Sequence, residues 1–107
     1  MAAPPLPMSV PQLLDEPDLA HNLYVVVRGQ VDRVQMRQNS RGERWCAAVI
    51  RDHSRTIDIN TFPHSFARLP FLAGVGDEVQ VIGHLLDNGT RFVMVQSWRI
   101  VHGTLAD

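Results

Sequence analysis

The sequence predicts an all-β domain: a five-stranded closed Greek-key β-barrel with one short helix between the third and fourth strands. Three observations carry this. Five segments of alternating apolar and polar residues follow one another between residues 23 and 103, and a period of two places one side of each strand in a core. One helical signal interrupts them, Phe62-Pro63 followed by His64 to Leu72. The chain has 107 residues, enough for one core and too few for two.

The first strand is expected from Leu23 to Met36. Val25, Val27, Gly29 and Val31 share one parity, and Val34 and Met36 continue on the other. A slip of one residue fits a β-bulge, which lets a barrel strand coil, and Gly29 permits a bend at a corner. Gln38 to Gly42 reads as a turn. The second strand is Glu43 to Arg51, with Cys46, Ala48 and Ile50 inward and Trp45, Ala47, Val49 and Arg51 outward. After the short connection Asp52 to Arg55, the third strand runs from Thr56 to Phe62. Ile57, Ile59 and Thr61 face inward there, and Asp58, Asn60 and Phe62 have the other parity. Pro63 suits the first position of a helix. Phe62, Phe66, Phe71 and Leu72 are expected in the core, since positions 66, 69 and 72 have the spacing of one helix face. The fourth strand is Glu78 to Leu86. The Asn88-Gly89 turn follows, then the fifth strand from Arg91 to Val101, with Trp98 expected against the N-terminal segment or the barrel base.

Residues 1–22 form a proline-rich acidic segment, partly flexible, because they hold five of the seven prolines and three acids with no basic residue. Residues 1–11 are read as flexible, and Val10 to Asp15 as one turn of helix packed on the barrel. Residues 23–103 are the barrel and residues 104–107 a tail. The chain's net charge of −1 conceals a barrel segment carrying all ten arginines and a net +3. There is no lysine; a guanidinium forks onto phosphate and stacks on bases.

Hydrophobic content of 45% supports a core, and no apolar run approaches the roughly 20 residues that span a bilayer. The opening residues lack the pattern of a signal peptide, and a single cysteine, Cys46, excludes an internal disulfide. A soluble cytoplasmic protein without membrane contact is expected. The histidines (His21, His53, His64, His84, His102) have no neighbours at metal-ligand spacing. No glycine-rich phosphate loop, nucleophile elbow or carboxylate pair in a plausible cleft is present, Asp77-Glu78 being a turn feature before a strand, so neither an enzyme nor a cofactor or metal site is expected.

Four segments carry a resemblance: Val27-Arg28-Gly29-Gln30-Val31, Arg41-Gly42-Glu43-Arg44, Ile57-Asp58-Ile59-Asn60-Thr61-Phe62-Pro63-His64-Ser65-Phe66, and Gly76-Asp77-Glu78-Val79-Gln80-Val81-Ile82-Gly83. Through them residues 25–101 resemble the oligonucleotide-binding (OB-fold) domain in the C-terminal region of bacterial DNA polymerase III alpha subunits. More loosely, they resemble the anticodon-binding barrels of some aminoacyl-tRNA synthetases. The chain has no polymerase domain, so the resemblance implies contact with a single strand, DNA before RNA, in replication or repair.

The candidate nucleic-acid-binding residues follow from parity and loop position. Trp45 faces outward, to stack a base or to be covered by the N-terminal segment or a partner. Arg37, Arg41 and Arg44 lie in and beside the first hairpin loop, which borders the groove in such barrels. Arg51 and Asn60 share an outer face and either hydrogen-bond a base or phosphate or form a polar cross-strand arrangement, Arg51 with Asp58. Arg91 and Phe92 follow the last turn, with Phe92 either exposed for stacking or packed beneath the first loop. The rival expectation is a protein-interaction subunit of a replication or repair assembly, with Trp45, Ala47, Val49 and Val26 as its patch, or a homodimer through a sheet edge. The acidic N-terminal segment suits folding back over the basic face.

Overall fold

A computed structural model describes residues 3–101. Its elements are β1 (Leu6–Pro7), α1 (Val10–Asp15), β2 (Leu23–Gln38), β3 (Arg44–Asp52), β4 (Arg55–Thr61), α2 (Pro63–Arg68), β5 (Glu78–Asp87) and β6 (Arg91–Ile100). The strand order is β1-β2-β3-β4-β6-β5, and a further β2–β5 pairing closes the sheet into a barrel of β2 to β6. All pairings within the barrel are antiparallel except β4 with β6. Residues 102–103, expected to end the barrel, and the tail 104–107 lie outside the described residues.

Closure rests on the length and bend of β2. Leu23–Gln30 pair with β5, and Gln30–Gln38 pair with β3. The parity slip read in the sequence is a bulge between Val31 and Arg33, and Asp32 has no cross-strand partner there. Gly29 sits where β2 passes from one partner to the other. A Cβ at that position would lie 2.9 Å from the Arg51 carbonyl oxygen and 3.1 Å from Ile50 Cβ. Gly83 plays the same part in β5, beside a second register shift, where a Cβ would collide with the Met94 carbonyl oxygen.

The inward parities fill the barrel as expected, with Val25, Val27, Val31, Cys46, Ala48, Ile50, Ile57, Ile59, Val79, Val81, Leu85, Val93 and Val95 buried. Thr61 is buried with them. Two plugs close opposite ends. The expected turn of helix, α1, drives Val10 and Leu13 to 0% exposure at the end where β4 and β6 begin. A capping box holds its start: Gln12 N–H donates to Ser9 Oγ at 3.2 Å, and Ser9 N–H donates to Gln12 Oε1 at 2.8 Å. Residues 1–11, read as flexible, include Leu6–Pro7, which pairs in parallel with Val25 and Val26, and Met8, whose N–H donates to the Val26 carbonyl at 3.0 Å.

At the other end, Phe71 packs on Trp98 with ring centroids 4.8 Å apart, and Trp98 Nε1 donates to the Pro70 carbonyl at 3.2 Å. Trp98 thus belongs to the barrel base. The helix is shorter than its periodicity predicts. It starts at Pro63 but ends at Arg68, because Pro70 disfavours helical backbone at the residue before it. The projected face at 66, 69 and 72 therefore does not form. Phe66 packs on the core, whereas Leu72 is 77% exposed and no residue of α2 is fully buried.

Candidate nucleic-acid interface

The outward parities of β2, β3, β4 and β6 align into rows by register. One row is Gln35, Ala47, Asn60 and Met94; the next is Arg33, Val49, Asp58 and Phe92; and Arg37 stands opposite Trp45 beyond them. With neighbouring strands about 4.8 Å apart, each four-strand row spans roughly 14 Å. Ala47 and Val49 are short, so the face dips between Trp45 and the polar side chains. A concavity of about 200 Å³ lies there, lined by Arg33, Gln35, Arg37, Trp45, Ala47, Val49, Asp58 and Asn60.

Aromatic rings rim it. Trp45 and Phe62 stand 5.2 Å apart, and Phe62 meets Phe92 edge-on at 6.3 Å. All three are half-buried. Phe62 is therefore not a core residue as its place before the helix suggested; it bridges the two outward aromatics. Its parity, shared with Asp58 and Asn60, carried that signal. The Arg37 guanidinium carbon lies 5.7 Å from the Trp45 ring centre, within cation–π range, and Arg37 Nη2 donates to Gln35 Oε1 at 3.1 Å. Arg33 lies on the same face, turned outward with Gln35 and Arg37 by the parity slip after Val31, which is the signal for it in the sequence.

The other candidate arginines divide. Arg41 sits at the tip of the first hairpin loop, which Asn39 holds in shape. The Asn39 side-chain oxygen accepts from the N–H groups of Arg41 and Glu43 at 3.0 and 2.9 Å, and its amide donates to Glu43 Oε1 at 2.9 Å. Arg44 has the parity of Cys46, so its side chain leaves the sheet on the side opposite Trp45. Arg51 faces outward but reaches Asp32, with Nη2 and Oδ2 2.8 Å apart. Asp58, its other potential partner, is left with no ion pair among the described residues.

Arg91 is turned away from Phe92 altogether. Its Nη1 donates to the carbonyls of Leu13 at 2.9 Å and Glu16 at 2.7 Å, and its Nε lies 3.7 Å from Asp87. A cation at the last carbonyls of α1 satisfies groups that the helix leaves unpaired. The acidic segment also engages the barrel at Asp15, which Arg55 clasps with two bonds of 2.6 and 2.9 Å. That hydrogen-bonded guanidinium lowers the Asp15 carboxyl below its ordinary range and raises Arg55. Burial pushes the Cys46 thiol up, which keeps it protonated. No group of three histidine, cysteine or acidic side chains that could hold a metal ion occurs among the described residues, and no helix there is long and apolar enough to cross a membrane.

A closed five-stranded barrel with parallel contact between β4 and β6 and a helix between β4 and β5 has the architecture of the OB-fold. No family model and no curated protein matches the chain. Solved structures do. A domain of replication protein A from Methanococcus maripaludis superposes with a TM-score of 0.68 at 16% identity, over 90% of this chain and 96% of that one. The yeast Stn1 and Ten1 structure superposes with a TM-score of 0.61 at 17% identity, over 74% of this chain and 43% of that one. At such identity the likeness is one of fold.

Proposed function

We propose that this barrel is a non-catalytic module that binds single-stranded nucleic acid, DNA in preference to RNA, on the outer face of β2, β3, β4 and β6. One observation carries the reading: the row Trp45–Phe62–Phe92 lies beside Arg33 and Arg37, which have no carboxylate partner among the described residues. Bases stack on the rings, each contact worth about 1–3 kcal/mol, and the guanidinium groups track the phosphates. Arg41 extends the basic side along the first loop. Arg44, Arg51 and Arg91 fall outside this mechanism, because one leaves the opposite side of the sheet and two are engaged within the protein. The similarity of fold to a replication protein A domain and to Stn1 and Ten1, and the resemblance to the polymerase III alpha subunit barrel, support a place in replication or repair.

The test is titration of a fluorescent single-stranded oligonucleotide at low and moderate salt. Binding that weakens with salt and is lost in Trp45→Ala supports the reading. A flat titration at micromolar protein overturns it.

A second reading is a protein-interaction subunit. It is favoured by Leu72 and Val75, 77% and 70% exposed in the loop between α2 and β5, a segment outside the aromatic face. Pairing through a sheet edge has little support, since the strand outside the closed ring is β1, whose two residues include Pro7 with no N–H to offer.

A further inference from the structure

Among the described residues that line the concavity one is an acid, Asp58, in the middle of the row Arg33, Val49, Asp58 and Phe92. Neutralising it would be the simplest arrangement for a phosphate-binding surface, and the sequence offers Arg51 to do so. The structure spends Arg51 on Asp32 instead. Arg33 lines the same concavity and makes no ion pair with Asp58. Asp58 is exposed and accepts no hydrogen bond from the described residues. Asn60, two residues along the same strand, carries an amide on the same face.

We propose that Asp58 gives this groove a base preference: it accepts a hydrogen bond from the exocyclic amino group of a base held on the aromatic row, so that cytosine is favoured over thymine. The inference rests on the single-strand reading above and adds to it a discrimination that stacking alone does not provide.

The chemistry is asymmetric. An ionised carboxylate only accepts, with two oxygens. In the free protein, water supplies its donors. A base stacked on Phe92, the residue opposite Asp58, displaces that water, and a carboxylate left without a donor costs more than the bond itself is worth. Cytosine presents its N4 amino group as a donor, the established match for an acidic side chain. Its N3 and O2 acceptors can take the Asn60 amide and the Arg33 guanidinium. Thymine places the O4 carbonyl where cytosine has its amino group, so two acceptors face each other. A site built to bond one polar group rejects the analogue that lacks it. The carboxylate also repels phosphate, which turns the strand so that its bases lie toward β4 and its phosphates toward Arg33, Arg37 and Arg41.

Oligo(dC) and oligo(dT) of equal length and label isolate this effect, because the two pyrimidines have similar size and the same backbone. Fluorescence anisotropy at constant salt and neutral pH is expected to show the wild-type protein binding oligo(dC) about tenfold more tightly than oligo(dT). Asp58→Asn supplies an amide that serves either base, and Asp58→Ala supplies neither bond. In both variants the ratio is expected to fall to about twofold or less, with thymine binding strengthened as the carboxylate is removed. Far-ultraviolet circular dichroism confirms that the variants fold, as an exposed strand position allows. Equal affinity of the wild type for the two oligonucleotides, or a cytosine preference that persists in both variants, overturns the role of Asp58 and leaves the single-strand reading standing. Binding to neither oligonucleotide overturns both.

Discussion

Arg51 bonds Asp32 across the bulge of β2 at 2.8 Å and leaves Asp58, its diagonal neighbour across β3 and β4, without a counter-ion among the described residues. That choice separates the outer face into two zones. Toward the β3–β4 hairpin, charges are paired within the protein. Toward Trp45, they are open to a ligand. The pairing itself contributes little, since both side chains are nearly half exposed and surface ion pairs give about 0–1 kcal/mol. Its effect is on what remains unpaired.

Trp45→Ala is expected to weaken binding of a mixed-sequence oligonucleotide by about 5- to 150-fold, the equivalent of one lost stacking contact. Phe62→Ala is expected to act in the same direction, because its ring lies between Trp45 and Phe92. Anisotropy titrations measure both, and an unchanged affinity for the two variants would remove the aromatic row from the mechanism.

The arginines divide in a salt titration. Arg33→Ala and Arg37→Ala are each expected to reduce the slope of log affinity against log salt by about 0.7, one phosphate contact on a single strand. Arg91→Ala and Arg51→Ala are expected to leave the slope unchanged, as their guanidinium groups serve internal partners.

Arg91→Ala is expected to act on stability instead. It leaves the carbonyls of Leu13 and Glu16 without their donor, a cost of about 1–3 kcal/mol. Leu13→Ala should cost about 2–5 kcal/mol, because the side chain is wholly buried in the plug at one end of the barrel. Urea unfolding followed by tryptophan fluorescence reads both.

Acid sensitivity follows from Asp15. Its folded-state pKa is lowered by Arg55, so its contribution is fully present above the ordinary aspartate value of about 3.9 and is lost as pH falls through the lower folded value. Asp15→Asn is expected to flatten the decline of Tm below about pH 4 relative to wild type. Parallel declines in the two proteins would show that the Arg55 clasp is not felt in solution.

The barrel was legible because a period of two is a strong signal wherever one face is buried. Val25 to Val31, Cys46 to Ile50, Ile57 to Thr61 and Val79 to Leu85 all face as their parities require, and the slip after Val31 marked the bulge. What lay beyond reach was set by partners distant in the chain. Arg91 stands beside Phe92 in sequence, yet its carbonyl acceptors lie 75 and 78 residues earlier. Arg51 had two acids within reach, and only the bulge decides between Asp32 and Asp58. Phe62 and Leu72 lie outside the core for local reasons. Helix periodicity stops short of Pro70, where the backbone turns, and Phe62 follows the parity of the strand before it rather than the face of the helix after it.

The parallel contact of β4 with β6, together with the closure of β2 on β5, carries a consequence for how the chain matures. Leu23 meets Leu85, and Asp58 meets Phe92, so the ring cannot be completed until the last strand has left the ribosome. Such long loops must be closed before any contact rewards them, which places assembly in the slower, millisecond-to-second regime. Until then the valine-rich hairpin of β2 and β3 has its apolar side open to solvent, and the nascent protein is most vulnerable to self-association in that interval.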